Sequence, residues 1–185
     1  MFNVNFINND ICEFTDSVSE SILLTKFIEE SDNSYNIYNI ISKWNLKDGT
    51  FIKNIDAYSV DMDEPRSLYI VNSLYSGMKF CLDRYVEMKK ITDEQIISKK
   101  FNVEKQTEES ELNNNHYTNI DFKYIIVMHL NDDYEGGEIV FTKQNITLKP
   151  GKGSILIFPN KKDLEFKFNK ISNGNKYVVL HGWSN

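Results

Sequence analysis

Apolar residues recur along this chain with two different periods. Ser17-Val-Ser-Glu20 has capping-box spacing, in which a hydroxyl and a carboxylate satisfy the free amides of a helix start. Val18, Ile22, Phe27 and Ile28, with Leu23 and Leu24, then supply an apolar face up to about Glu30. Ser31 to Asn39 is rich in Asn and Ser and reads as a loop. A second helix is expected from Pro65, with Asp63 as its cap, to about Lys89. Along it Leu68, Val71, Leu74 or Tyr75, Met78, Leu82 and Tyr85 return every three or four residues. From about Phe101 the period changes. Short β-branched and aromatic runs at 101–105, 123–130, 138–142, 145–148, 154–158, 164–169 and 176–180 are separated by turn residues, notably Asn131 to Gly137, Lys149 to Gly153 and Ser172 to Asn175. Such spacing predicts a closed or two-sheet antiparallel architecture. The polar stretch Glu104 to Asn115 reads as a loop or a lid over it.

Composition narrows the function classes. A chain of 185 residues, 41% hydrophobic and 13% aromatic, can bury one sizeable core, so a single domain over 1–185 is expected. Within it, 1–99 reads as a mainly helical support region and 100–185 as the β core. The net charge of −6 and a pI near 5.1 speak against nucleic acid or an anionic membrane as partner. Mean hydropathy is −0.45, and no apolar run reaches the roughly 18 residues that a membrane helix needs. The start, Met1 to Asp10, lacks the basic and apolar regions of a secretion signal. Cys12 and Cys81 are too few for a disulfide framework and read as small buried hydrophobes. A cytoplasmic, reducing location is the expectation. Nineteen of the 21 basic residues are Lys, and Asn and Ile are abundant, as in products of AT-rich genomes.

Three segments, in order, carry a resemblance. Ile125 to Phe141 contains His129-Leu-Asn-Asp-Asp-Tyr-Glu-Gly-Gly-Glu138, Leu148 to Pro159 contains Pro-Gly-Lys-Gly and Phe-Pro, and Gly174 to Trp183 contains Lys176-Tyr177. Together they resemble the prolyl 4-hydroxylase-like Fe(II)/2-oxoglutarate-dependent dioxygenases. The resemblance implies a double-stranded β-helix, the cupin-like jelly roll, with supporting N-terminal helices: a mainly β fold of the α+β kind. In that family two His and one carboxylate hold iron and leave positions open for cosubstrate and dioxygen, while a basic residue on the last strand binds the far carboxylate of 2-oxoglutarate.

Carried onto this chain, the match is incomplete. His116 takes the place of the first ligand, Thr118 stands where the carboxylate belongs, and Phe166 where the second His belongs. A hydroxyl brings no formal charge to Fe²⁺ and a phenyl ring brings no lone pair, so tight iron binding is not expected. Lys176 matches the cosubstrate-binding position, and His129 the tyrosine that assists it in oxygen-sensing relatives. The interval from Lys176 to Trp183 is one residue longer than in the family. Lys176 therefore points inward if the strand carries a bulge, and Tyr177 does otherwise. Asp121, Glu108, Glu109 and Glu111 are carboxylates that a register shift could bring near His116. His181 lies on the final strand, beside Lys176 rather than opposite His116.

The leading expectation is a non-catalytic pseudoenzyme that uses the inherited groove to bind a protein or peptide, with no cofactor. The first alternative is an active Fe(II)/2-oxoglutarate-dependent peptidyl (prolyl) hydroxylase with an unconventional metal site that includes His116. The second is a metal-free module that binds a small anion on Lys176 and His129.

Overall fold

The computed structural model describes residues 3–16, 45–47, 50–56, 65–92, 96–97, 100–110 and 122–184. The elements, in chain order, are β1 (Asn3–Phe6), β2 (Cys12–Thr15), β3 (Asn45–Lys47), β4 (Thr50–Asp56), α1 (Pro65–Lys89), β5 (Ile96–Ile97), β6 (Lys100–Gln106) and β7 (Tyr124–His129). They continue with β8 (Glu135–Gly136), β9 (Ile139–Phe141), β10 (Ile146–Leu148), β11 (Ile155–Pro159), β12 (Phe166–Phe168), β13 (Ile171–Asn173) and β14 (Lys176–Ser184). The expected helix over 17–30, the loop over 31–39 and the Asp63 cap lie outside the described residues.

Among the described residues the strands form a nine-stranded sheet ordered β1-β2-β11-β7-β14-β6-β4-β3, with β5 also on β14, and two smaller sheets, β10-β9-β12 and β13-β8. All pairings are antiparallel. The large sheet and the β10-β9-β12 sheet face each other across a shared core, in keeping with the closed or two-sheet antiparallel architecture that the strand spacing predicts. The region 1–99, expected to be mainly helical, lies in large part outside the described residues; those described hold α1 together with β1 to β5, of which β1 to β4 widen the large sheet at its edges. Their apolar runs are too short for a period to be read, and pairing with partners far along the chain decides their conformation.

The central strands β7 and β11 are buried on both faces, which is why they read as nearly unbroken apolar runs. One face packs under α1, where Leu74, Met78, Leu82 and Tyr85 meet Ile126, Met128, Ile155, Ile157, Tyr177 and Val179. Cys12 and Cys81 belong to this layer as buried thiols outside any disulfide, and burial pushes the Cys12 pKa up to about 12. The opposite face joins Val127, Leu156, Phe158, Val178 and Leu180 of the large sheet to Ile139, Phe141, Phe166 and Phe168 of the small one. No described helix is long and apolar enough to cross a membrane.

Candidate functional site

The turn between β7 and β9 brings the candidate residues together. Asn131 anchors it: its Nδ2 donates to Asp133 Oδ1 and to the Asn175 carbonyl, each at 2.7 Å, and its Oδ1 accepts from Tyr177 N at 2.7 Å. These bonds tie the turn to the start of β14, where Lys176 sits. Gly136 and Gly137 follow, with φ of +75° and +68°. Both lie in the left-handed region open to glycine at little cost. A Cβ on Gly137 would lie 3.2 Å from Lys176 Cδ and 2.5 Å from Ile171 Cδ1, so the missing side chain lets the lysine approach the backbone.

Lys176 is fully buried, and its Nζ donates to the Gly137 carbonyl at 2.5 Å. The same ammonium lies 3.5 Å from the centroid of the Phe168 ring and 5.7 Å from that of Tyr134. Lys176 alternates with Val178 and Leu180 of the interior layer, while Tyr177 and Val179 belong to the layer under α1. The register of β14 on β6 and β7 is continuous, so the bulge invoked for an inward Lys176 is not needed, and Tyr177 does not take its place. β14 continues to Ser184.

His129 stands at the end of β7, opposite Val178, also with no exposure. Neither of its ring nitrogens has a hydrogen-bond partner among the described residues. Burial pushes its pKa well below the usual imidazole value, and Lys176 adds to the shift in the same direction. Lys176 and His129 thus share one interior, but the imidazole there is neutral. The consequence for stability has a definite sign. The unfolded chain takes up this proton below about pH 6.5 and the folded chain resists it. His129 therefore costs nothing above that pH and destabilises the fold as pH falls below it, by up to about 1.4 kcal/mol per unit. Urea unfolding at a series of pH values should show a His129→Phe variant losing less stability on acidification than the wild type; equal losses would contradict this assignment.

Glu104 and Gln106 complete the interior. Glu104 is 2% exposed and Gln106 fully buried, with Gln106 Nε2 donating to Glu104 Oε2 at 3.1 Å. This corrects the reading of the polar stretch that starts at Glu104: residues 104–106 end β6, 107–110 form a turn, and 111–115 lie outside the described residues. Burial here comes from pairing with β14, which a local reading does not see. The faint sequence signal was a carboxylate and an amide at alternate positions of a β-period run.

Phe166, the first residue of β12, faces the interior layer at 3% exposure. Its ring lies 5.2 Å from Phe158, 5.8 Å from Phe168 and 6.0 Å from Phe141, centroid to centroid. Beside it opens a groove of about 370 Å³, with Ile125, Leu164 and Phe166 as apolar lining and Asn160, Lys161, Lys162 and Glu165 as polar lining. His116, Thr118, Glu111 and Asp121 lie outside the described residues. Glu108 and Glu109 are exposed on the turn after β6. His181 falls, by strand alternation, on the α1 face of β14, where its ring meets Phe122 edge-on at 6.2 Å.

Iron and 2-oxoglutarate are the groups this architecture implies. Among the described residues no set of three His, Cys, Asp or Glu side chains could hold a metal ion, and Phe166 offers iron no lone pair. Around Lys176 the surroundings do not fit an incoming carboxylate, since the ammonium is already held by the Gly137 carbonyl and capped by the Phe168 ring.

No family model matches the chain, and no curated protein matches it either. Solved structures do. The viral collagen prolyl hydroxylase of Paramecium bursaria Chlorella virus-1, as its 2-oxoglutarate complex, is similar with a TM-score of 0.63 at 13% identity, over 95% of this chain and 96% of that one. A Trichoplax adhaerens prolyl hydroxylase in complex with a hypoxia inducible factor oxygen degradation domain peptide fragment gives 0.60 at 13% identity, over 95% and 84%. A Pseudomonas putida prolyl-4-hydroxylase gives 0.59 at 9% identity, over 95% and 92%. The two-sheet interior, the Gly136-Gly137 turn and the inward lysine thus sit on the double-stranded β-helix fold of the prolyl 4-hydroxylase-like 2-oxoglutarate oxygenases.

Proposed function

We propose that this protein is a non-catalytic relative of the prolyl 4-hydroxylases that binds a protein or peptide segment in the groove beside Phe166. The observation that carries the reading is the packing of Phe166: at the position that the motif resemblance gives to the second iron-binding imidazole, a phenyl ring is buried against three others. Lys176 supports it, because its ammonium is spent on the chain's own carbonyl and ring. The groove combines apolar lining with polar residues of both charges, the mixture by which concave sites bury a ligand and fix its orientation. In the Trichoplax neighbour a peptide fragment is bound to the same fold.

Anaerobic calorimetry with Fe(II) or Mn(II), with and without 2-oxoglutarate, tests the catalytic side. No micromolar metal binding and no succinate release is the expected result. Micromolar affinity together with succinate would establish instead an active hydroxylase with an unconventional site around His116. The binding side is tested by peptide display counter-screened against a Lys162→Glu/Glu165→Lys variant. Selected peptides should lose binding to the variant; equal binding to both proteins would remove the groove from the proposal.

A further inference from the structure

Lys176 has no ordinary surroundings for a lysine. The side chain is fully buried, and its nearest partners, the Gly137 carbonyl and the Phe168 ring, are neutral. They stabilise an ammonium by a dipole and a quadrupole, but neither balances its charge. A buried cation of this kind needs an anion in the same interior. In proteins that take up a small carboxylate, the ligand can provide it.

Here the sheet carries a carboxylate on the same side. In the β6–β14 register, Gln106 lies opposite Lys176, and Glu104 lies opposite Val178. Val178 is in turn opposite His129 on β7. Residues directly opposite share a face, so Glu104, Gln106, Lys176 and His129 all project from the same side of the large sheet. Glu104 is the diagonal neighbour of Lys176, a separation that two long side chains can span. Glu104 is 2% exposed, and glutamates are almost never buried so completely unless paired. Gln106 steadies it, donating Nε2 to Oε2 at 3.1 Å. The other carboxylate with influence on Lys176, Glu138, accepts from Asn169 Nδ2 and is only half-buried. Burial pushes the Lys176 pKa down, and Glu104 is the strongest of the charges that pull it back.

We propose that Glu104 is a built-in counter-ion that balances Lys176 in place of an external carboxylate, so that the interior of this fold is a carboxylate site closed by the chain itself. The proposal rests on the non-catalytic reading and explains it at the cosubstrate end of the interior, independently of the iron ligands. It also gives the class of ligand that the opened site would take: a small mono- or dicarboxylate.

The test is chemical rescue without metal. In the presence of a chelator, the melting temperature of the wild type should not respond to acetate, propionate or 2-oxoglutarate. Glu104→Ala should melt lower than the wild type. Acetate or propionate at roughly five times its Kd should then raise the variant's melting temperature by about 2–4 °C. Adding Lys176→Met to Glu104→Ala should abolish that response. A folded Glu104→Ala variant that responds to none of the three carboxylates overturns the proposal. Should Glu104→Ala fail to fold, Glu104→Gln, Lys176→Met and their combination decide the matter. Losses in melting temperature that are smaller in the double variant than the sum of the singles support the pairing, and additive losses overturn it. The two readings fail separately: succinate release by the wild type removes the non-catalytic reading, whereas a silent wild type with a silent Glu104→Ala removes only the built-in counter-ion.

Discussion

Replacing Phe166 by alanine should destabilise the protein by about 3–5 kcal/mol, because it deletes a buried aromatic ring and leaves a cavity that its neighbours fill only in part. The ring is 3% exposed and touches the rings of Phe158, Phe168 and Phe141, with centroids 5.2, 5.8 and 6.0 Å away. Those neighbours are themselves held in strands β9, β11 and β12, so the interior cannot collapse freely onto the gap. For a chain of this length the loss corresponds to a fall in melting temperature of about 6–20 °C. Urea unfolding measures it directly. A loss below about 1 kcal/mol would mean that Phe166 stands at an open cleft, with the packing argument withdrawn. The distinction matters for the proposed non-catalytic function, which rests on the packing of Phe166.

Alanine at Gly136 should have an effect of similar size, about 2–5 kcal/mol, for a different reason. Its φ of +75° strains any residue with a Cβ, and that Cβ would lie 2.2 Å from the Lys170 carbonyl oxygen, a backbone atom that cannot rotate away. Relief requires β8 and β13 to separate, and with them the turn that delivers the Gly137 carbonyl to Lys176. Gly151→Ala is the control: its φ is not positive, and the nearest atom to the added Cβ, Asp132 Oδ2, is 3.8 Å away. That variant should stay within about 0.5 kcal/mol of the wild type. Equal melting temperatures for the two variants would show that the Gly136 turn yields more easily than its geometry implies.

What could be read in advance follows the range of the forces concerned. The helix from Pro65 to Lys89 was legible because its apolar period repeats over many turns and a proline marks its start. The strands after residue 100 were legible because turn residues bracket each short run. The short strands of the first hundred residues were not, since pairs such as β4 with β6 join segments about fifty residues apart. Glu104 shows the same limit at the level of a side chain. In the sequence it opens a run of polar residues; in the fold it is a buried carboxylate two places diagonal from a buried lysine.

The amino-acid pattern alone gave a closed or two-sheet antiparallel architecture, the long helix and the glycine turn, because periodicity and backbone freedom are properties of short segments; the jelly roll itself was what three motifs resembling a known family implied. Only the tertiary structure decided that Lys176 turns inward without a bulge, that Glu104 lies in the same interior, and that Phe166 is packed among rings. Those three depend on register, which is set where distant strands meet: a shift of one residue there exchanges the two faces of a strand and every side chain on them.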